Sequence, residues 1–248
     1  MPPLYDFKRN PWIVCLNLKM ITFAPDQYHT TVKRLIIFDL DGTLLDTIED
    51  LAASTNHALR ANGFPTHDTD AYKRFVGNGI MKLFERALPA DAVNEDNINR
   101  IKTDFLAYYD IHNCDFTHPY EGICEMLEQL GRLGIGLAVA SNKYDSAVQK
   151  LIPHYFGKIA FTAIAGNKAG IKPKPSPAII NSIMATGGYD KTDVLYVGDS
   201  DVDMQTAINA GVEACGVTWG FRPVEELIKY NPAHIAKSPS DIINIARL

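Results

Sequence analysis

Six short strand-length runs alternate with stretches of helical spacing along most of this 248-residue chain, and that alternation is its strongest constraint. The first run, residues 33–39, carries the unbroken apolar stretch Leu35 to Phe38, as a strand covered on both faces must. From Pro119 the pattern repeats. A helix from Glu121 to Leu133 precedes a strand from Gly136 to Ala140, and a helix near 144–152 precedes a strand near Phe161 to Ala165. A helix from Pro177 to about Thr186 leads to the strand Val194 to Val197, and a helix from about Val202 to Ala210 leads to a strand near Ala214 to Thr218. A helix near 223–230, a short strand at His234 to Ala236 and a last helix from 239 close the series. Strands separated by whole helices pair in parallel through right-handed crossovers. The predicted fold is therefore α/β, a doubly wound parallel sheet.

One block breaks the alternation. After Thr47 the spacing turns helical: Ile48, Leu51, Ala52, Thr55 and Leu59 fall on one stripe, which Gly63-Phe64-Pro65 stops. From about 68 to 113 the spacing stays helical, with Phe75, Leu83, Phe84 and Leu88, then Ile98, Ile101, Phe105, Leu106 and Tyr109. The expected organisation is an all-helical insert at 47–116 within a core of 33–46 and 117–248, preceded by an extension at 1–32 of no assigned role. In that extension Trp12 to Leu18, after Lys8 and Arg9, hints at a signal segment, but Asn17 and Lys19 interrupt it and no small-residue cleavage site follows. No apolar run approaches the roughly 20 residues that cross a bilayer. A net charge of −5 gives no reason to expect nucleic acid or an anionic membrane. Four cysteines without a C-x-x-C pair argue against a disulfide framework or zinc site and for a reducing, cytoplasmic setting.

Ligands of open parallel sheets bind beyond the carboxyl ends of the strands. Those exits carry Asp39 and Asp41, then Ser141-Asn142, then a loop with Lys172 and Lys174, then Asp199 and Asp203. Residues i and i+2 of a strand share a face, so Asp39 and Asp41 start on one side before Gly42 turns the chain. Converging acids suit a divalent cation together with nucleophilic or acid–base work. A carboxylate attacking a phosphate dianion is repelled by several kcal/mol even at an effective dielectric of about 20, so nearby positive charge is required. A magnesium ion and one lysine would supply it. Asp39 then serves as nucleophile and metal ligand. Asp41 lends its carbonyl to the metal and its carboxyl to proton transfer, and Asp199 completes the metal site. Ser141, Asn142, Gly42 and Lys174 hold phosphate oxygens. Alternatives stand beside several of these. Ser141 could cap the next helix, Lys172 could replace Lys174, and Asp203 could bind metal directly or from behind the ligands. Gly77-Asn78-Gly79 reads equally as a turn or a substrate loop. His112 and His118 lack a ligand partner at suitable spacing, and Cys114 and Cys124 lack a base.

The motifs Asp39-Leu40-Asp41-Gly42-Thr43-Leu44, Ser141 after the second core strand, Lys174-Pro175-Ser176-Pro177 and Gly198-Asp199-Ser200 with Asp203 resemble the haloacid dehalogenase superfamily over about 31–248. The resemblance implies a Rossmann-like core with the helical insert as a cap over the site. Phe75-Val76-Gly77-Asn78-Gly79 with Leu83 and Ala87-Leu88, and His118-Pro119-Tyr120-Glu121-Gly122, resemble the phosphoglycolate phosphatases of that superfamily. The expected activity is magnesium-dependent phosphomonoester hydrolysis through a phosphoaspartyl intermediate on Asp39, acting on 2-phosphoglycolate or a similar small phosphorylated metabolite. The alternatives are a sugar phosphomutase, a pyrophosphatase, or a non-catalytic sensor of phosphorylated metabolites. A dehalogenase would have no use for Asp41, and a related ATPase would carry threonine there. A substrate carboxylate would want a cation from the cap, where Lys73, Arg74, Lys82 and Arg86 are candidates. The expected partners exclude nucleic acid and membrane, and sequence does not distinguish monomer from homodimer.

Overall fold

The computed structural model describes residues 32–248, so the signal-like stretch and Cys15 lie outside the described residues. Strands β1 (Leu35–Phe38), β4 (Gly136–Tyr144), β5 (Ala163–Asn167), β6 (Val194–Gly198), β7 (Glu213–Val217) and β8 (His234–Ala236) form one sheet in the order β5-β4-β1-β6-β7-β8. Every pairing in it is parallel. The winding direction reverses between β1 and β6, which puts the crevice expected of such sheets beside the exit of β1.

Why β1 is apolar throughout is visible in its packing. Ile36 and Phe38 pack on one face with α5 (Ile123–Arg132), α6 (Asp145–Phe156) and the last helix, α9 (Pro239–Ile245). Leu35 and Ile37 pack on the other with α7 (Ala178–Gly187) and α8 (Asp201–Ala210). Alternate side chains thus enter two different cores, each fully buried residue contributing about 1.5–3 kcal/mol.

The insert is four helices: α1 (Ile48–Ala61), α2 (Thr69–Phe75), α3 (Ile80–Ala87) and α4 (Glu95–His112), with a short helical turn at Ala90–Ala92. They have their own apolar centre around Tyr72, Phe84, Phe105 and Tyr109. The two strands linking insert and core, β2 (Leu45–Asp46) and β3 (His118–Pro119), pair antiparallel, a junction that two residues of pattern cannot announce. Asp50 reinforces it by accepting from the amides of Phe116 (3.1 Å) and Thr117 (2.8 Å).

One boundary differs in a way that matters. The strand expected to end at Ala140 continues to Tyr144, with an irregular register between Ala140 and Tyr144. Such a bulge breaks the strict alternation of side chains. Ser141, Asn142 and Lys143 are accordingly all buried, and all three line the same cavity. Among the described residues no helix is long and apolar enough to cross a membrane.

Candidate active site

The cavity lies between the sheet's carboxyl edge and the insert. Asp39, Asp41, Ser141 and Asp199 line it from the core, and Val76, Gly77, Gly79, Ile80 and Leu83 from the cap. Its volume of about 40 Å³ leaves room for a few water molecules.

Asp39 leaves β1 with its amide bonded to the Val197 carbonyl (2.9 Å). Its Oδ1 lies 2.8 Å from Lys174 Nζ, which is also 2.8 Å from Asp203 Oδ1 and donates to the Tyr196 hydroxyl at 2.9 Å. Lys174 is buried and Lys172 is exposed, so the fold brings Lys174 to the site. Burial disfavours its ammonium, but the Asp203 and Asp39 carboxylates outweigh that and hold its pKa well above the usual lysine value.

Carboxyl oxygens of Asp39, Asp199 and Asp203 lie within 4.8 Å of one another, all buried. Burial pushes Asp39 up to about 7 despite Lys174, with Asp203 adding to the rise. Burial, then Asp203 and Asp39, raise Asp199 well above the carboxylate range. Three carboxylates sharing one ammonium leave an excess of negative charge that a hard divalent cation would neutralise, so the donor set fits one.

Asp203 is committed on both oxygens. Oδ1 accepts from Lys174 and from the Tyr196 hydroxyl (2.9 Å), and Oδ2 accepts from the Ser200 amide (3.1 Å) in a capping box at the start of α8. Asp41 is held apart from this cluster. Its Oδ1 accepts from Lys143 Nζ (2.9 Å) and from the Thr47 hydroxyl (2.8 Å). Lys143 also lies 4.8 Å from the centre of the Tyr109 ring. Neither Lys143 nor Thr47 is among the residues the sequence motifs single out; the predicted strand stops at Ala140, short of Lys143.

Two residues are placed differently from the phosphate-holding expectation. The Gly42 amide donates to the Leu45 carbonyl (2.8 Å) and closes the turn. What Gly42 provides is room: at φ 87°, a Cβ there would fall 2.4 Å from Asp199 Oδ2. The Asn142 side chain is fully engaged, donating to the carbonyls of Gly77 and Lys174 (both 3.0 Å) and accepting from the Lys174 amide (2.8 Å). It fixes the lysine loop and tethers the cap loop. Ser141 Oγ accepts from the Lys143 amide (3.2 Å), which leaves its own proton to donate.

Gly77 and Gly79 reach the cavity, whereas the Asn78 side chain accepts from Arg86 (2.7 Å) away from it. His112 pairs with Asp115 and His118 bonds the Phe116 carbonyl. The described free thiols are Cys114, Cys124 and Cys215.

A family profile described as haloacid dehalogenase-like hydrolase matches residues 36–217. The chain belongs to that family. Among its curated relatives, a phosphoglycolate phosphatase from Vibrio parahaemolyticus is 31% identical over 217 residues, covering 86% of this chain and 95% of the relative. Phosphoglycolate phosphatase 1 from Pseudomonas aeruginosa is 34% identical over 208 residues, covering 80% and 75%. A crystal structure of a "predicted phosphoglycolate phosphatase" from Haemophilus somnus superposes with a TM-score of 0.81 at 31% identity, covering 87% of this chain and 98% of that one. Within the haloacid dehalogenase-like hydrolases the chain falls in the phosphoglycolate phosphatase-like subgroup, and it is a phosphatase.

Proposed function

We propose that this phosphatase hydrolyses small phosphomonoesters through a phosphoaspartyl intermediate on Asp39, with 2-phosphoglycolate as substrate. The observation that carries the reading is the separation of the two motif aspartates into unlike surroundings. Asp39 sits in the crowded acid cluster against Lys174, and Asp41 sits two residues on in its own pocket of Lys143 and Thr47. Paired carboxyl groups placed in different environments take different roles.

Asp39 attacks phosphorus and the ester P–O bond breaks. Asp41 gives its proton to the leaving oxygen, then takes one from the water that attacks the phosphoaspartate, releasing inorganic phosphate and restoring Asp39. Lys174 and the Ser141 hydroxyl hold the transferring oxygens. Asp203 and Tyr196 keep the Lys174 ammonium in place. Asp39 and Asp199, with the Asp41 carbonyl, would hold magnesium, which supplies charge to offset the repulsion between carboxylate and phosphate. The cap over the site keeps bulk water from the intermediate. The relatives named for phosphoglycolate support that choice of substrate.

The test is kcat/KM across a panel of phosphate esters, with and without magnesium, for the wild type and for Asp39→Asn. The reading expects magnesium-dependent hydrolysis led by 2-phosphoglycolate, and a folded Asp39→Asn variant slower by a factor of about 10⁴ or more. Near-normal turnover by that variant would contradict it.

A further inference from the structure

The cap cations that the sequence offers for a substrate carboxylate are occupied elsewhere. Lys73 pairs with Asp70 (2.8 Å), Lys82 with Glu85, and Arg74 with Glu226 (2.9 Å). Arg86 donates to the Phe75 carbonyl (2.8 Å) and to Asn78. None of the four lines the cavity. Two other cations do, Lys143, which Asp41 holds, and Arg222.

Arg222 comes from the core, on the loop after β7. That loop is pinned by Trp219 Nε1 donating to the Thr43 carbonyl (3.0 Å) and by the Phe221 amide donating to Asp199 Oδ2 (2.7 Å). The Arg222 side chain is 9% exposed. Nη2 donates across to the cap at the Val76 carbonyl (2.9 Å), and Nε lies 3.8 Å from Glu226. Nη1 is buried and has no hydrogen-bond partner among the described residues. The guanidinium is thus held through Nη2 and Nε, it lines the cavity, and Nη1 keeps a donor that no protein group uses among the described residues. The walls around it are apolar, including Leu51, Val76, Ile80, Leu83 and Phe105, which strengthens attraction to an anion. Arg86 adds positive charge nearby: burial, then the Arg222 guanidinium, lower its pKa.

We infer that Arg222 binds a second anionic group of the substrate, a carboxylate on the organic part of the ester. The preference for 2-phosphoglycolate over a neutral phosphate ester is then set at this residue. A guanidinium fork fixed by a pinned loop suits a planar carboxylate in both charge and shape. The inference rests on the phosphatase reading above and makes the core, not the cap, the source of that selectivity.

The experiment compares kcat/KM for 2-phosphoglycolate and for 2-hydroxyethyl phosphate, which replaces the carboxylate by an alcohol, in the wild type, Arg222→Met and Arg222→Lys. The wild type is expected to favour the carboxylate ester. The ratio of the two values should fall about 10- to 100-fold in Arg222→Met and by less in Arg222→Lys, which keeps charge without the fork. Two results overturn the inference while leaving the phosphatase reading intact: a wild type with no preference, or variants in which both values fall in step. The latter would assign Arg222 only to holding the cap through Val76. Should Arg222→Met not fold, the ratio for Arg222→Lys decides in the same way. A wild type inactive on both esters with magnesium would overturn the phosphatase reading and the inference with it.

Discussion

The floor of the site and its roof are built by opposite means. The floor, at the strand exits, packs Asp39, Asp199, Asp203 and Lys174 with Tyr196 into a buried network of charges and hydrogen bonds. The roof is apolar side chains plus the glycine loop around Gly77, and its own cations face the surface. At Gly77 a φ of 114° keeps the loop close to Arg222, where a side chain would be strained. Charges in the floor are expensive to bury and are held in one geometry, which suits them to bond making and breaking. The roof encloses and shapes without reacting. On the proposed reading chemistry and selection are therefore separable, and Arg222, a floor residue that reaches the roof at Val76, is their meeting point.

The sharpest way to break this contrast is at Lys174. Replacing it by methionine leaves buried carboxylates uncompensated, so the account predicts a loss of about 3–5 kcal/mol in denaturant unfolding of the metal-free protein, together with loss of turnover. A variant as stable and active as the wild type would mean that the floor is not a charge network.

A smaller effect is expected from pH. Asp39 rises from 3.8 to about 7 on folding, so the folded protein binds the extra proton. Metal-free stability from this group is then greatest below about 4 and declines as pH climbs to about 7, since the unfolded chain ionises first. Magnesium, binding the ionised cluster, should flatten or reverse the decline. Thermal unfolding from pH 4 to 8, with and without magnesium, checks the sign.

The smallest effects belong to the roof's outer surface. Lys73→Ala and Lys82→Ala each remove an exposed pair and should change stability by less than about 0.5 kcal/mol and kcat/KM by less than about twofold. A tenfold loss in either would place the substrate contact on the cap after all.

How much of this was legible in advance follows from how local each signal is. Strand runs, the helical stripe from Ile48 to Leu59 and the acid pair after β1 are short-range patterns, and they place the sheet, the insert and Asp39. Lys172 and Lys174 are separated by burial, Lys174 inside and Lys172 exposed, which their shared Lys-Pro pattern does not report. Other features depend on partners distant in the chain. Lys143 meets Asp41 across 102 positions, Asn142 meets Gly77 across 65, and Arg222 meets Val76 across 146. No periodicity reports such meetings. At Gly42 the turn itself uses the backbone donor, which donates to the Leu45 carbonyl, and the motif does not announce that use. A bulge that turns three consecutive polar residues into one cavity also defeats the period-two rule by which strands are read.

The most direct test of the central claim is to find the phosphoryl group. A phosphate ester with a good leaving group needs no proton from Asp41, so Asp41→Asn should still be phosphorylated but should lose the base that activates water. Acid quench during turnover with magnesium, followed by peptide mass mapping, should show phosphate on Asp39, more of it in Asp41→Asn than in the wild type. Phosphate on another residue, or none in either protein, would contradict the account.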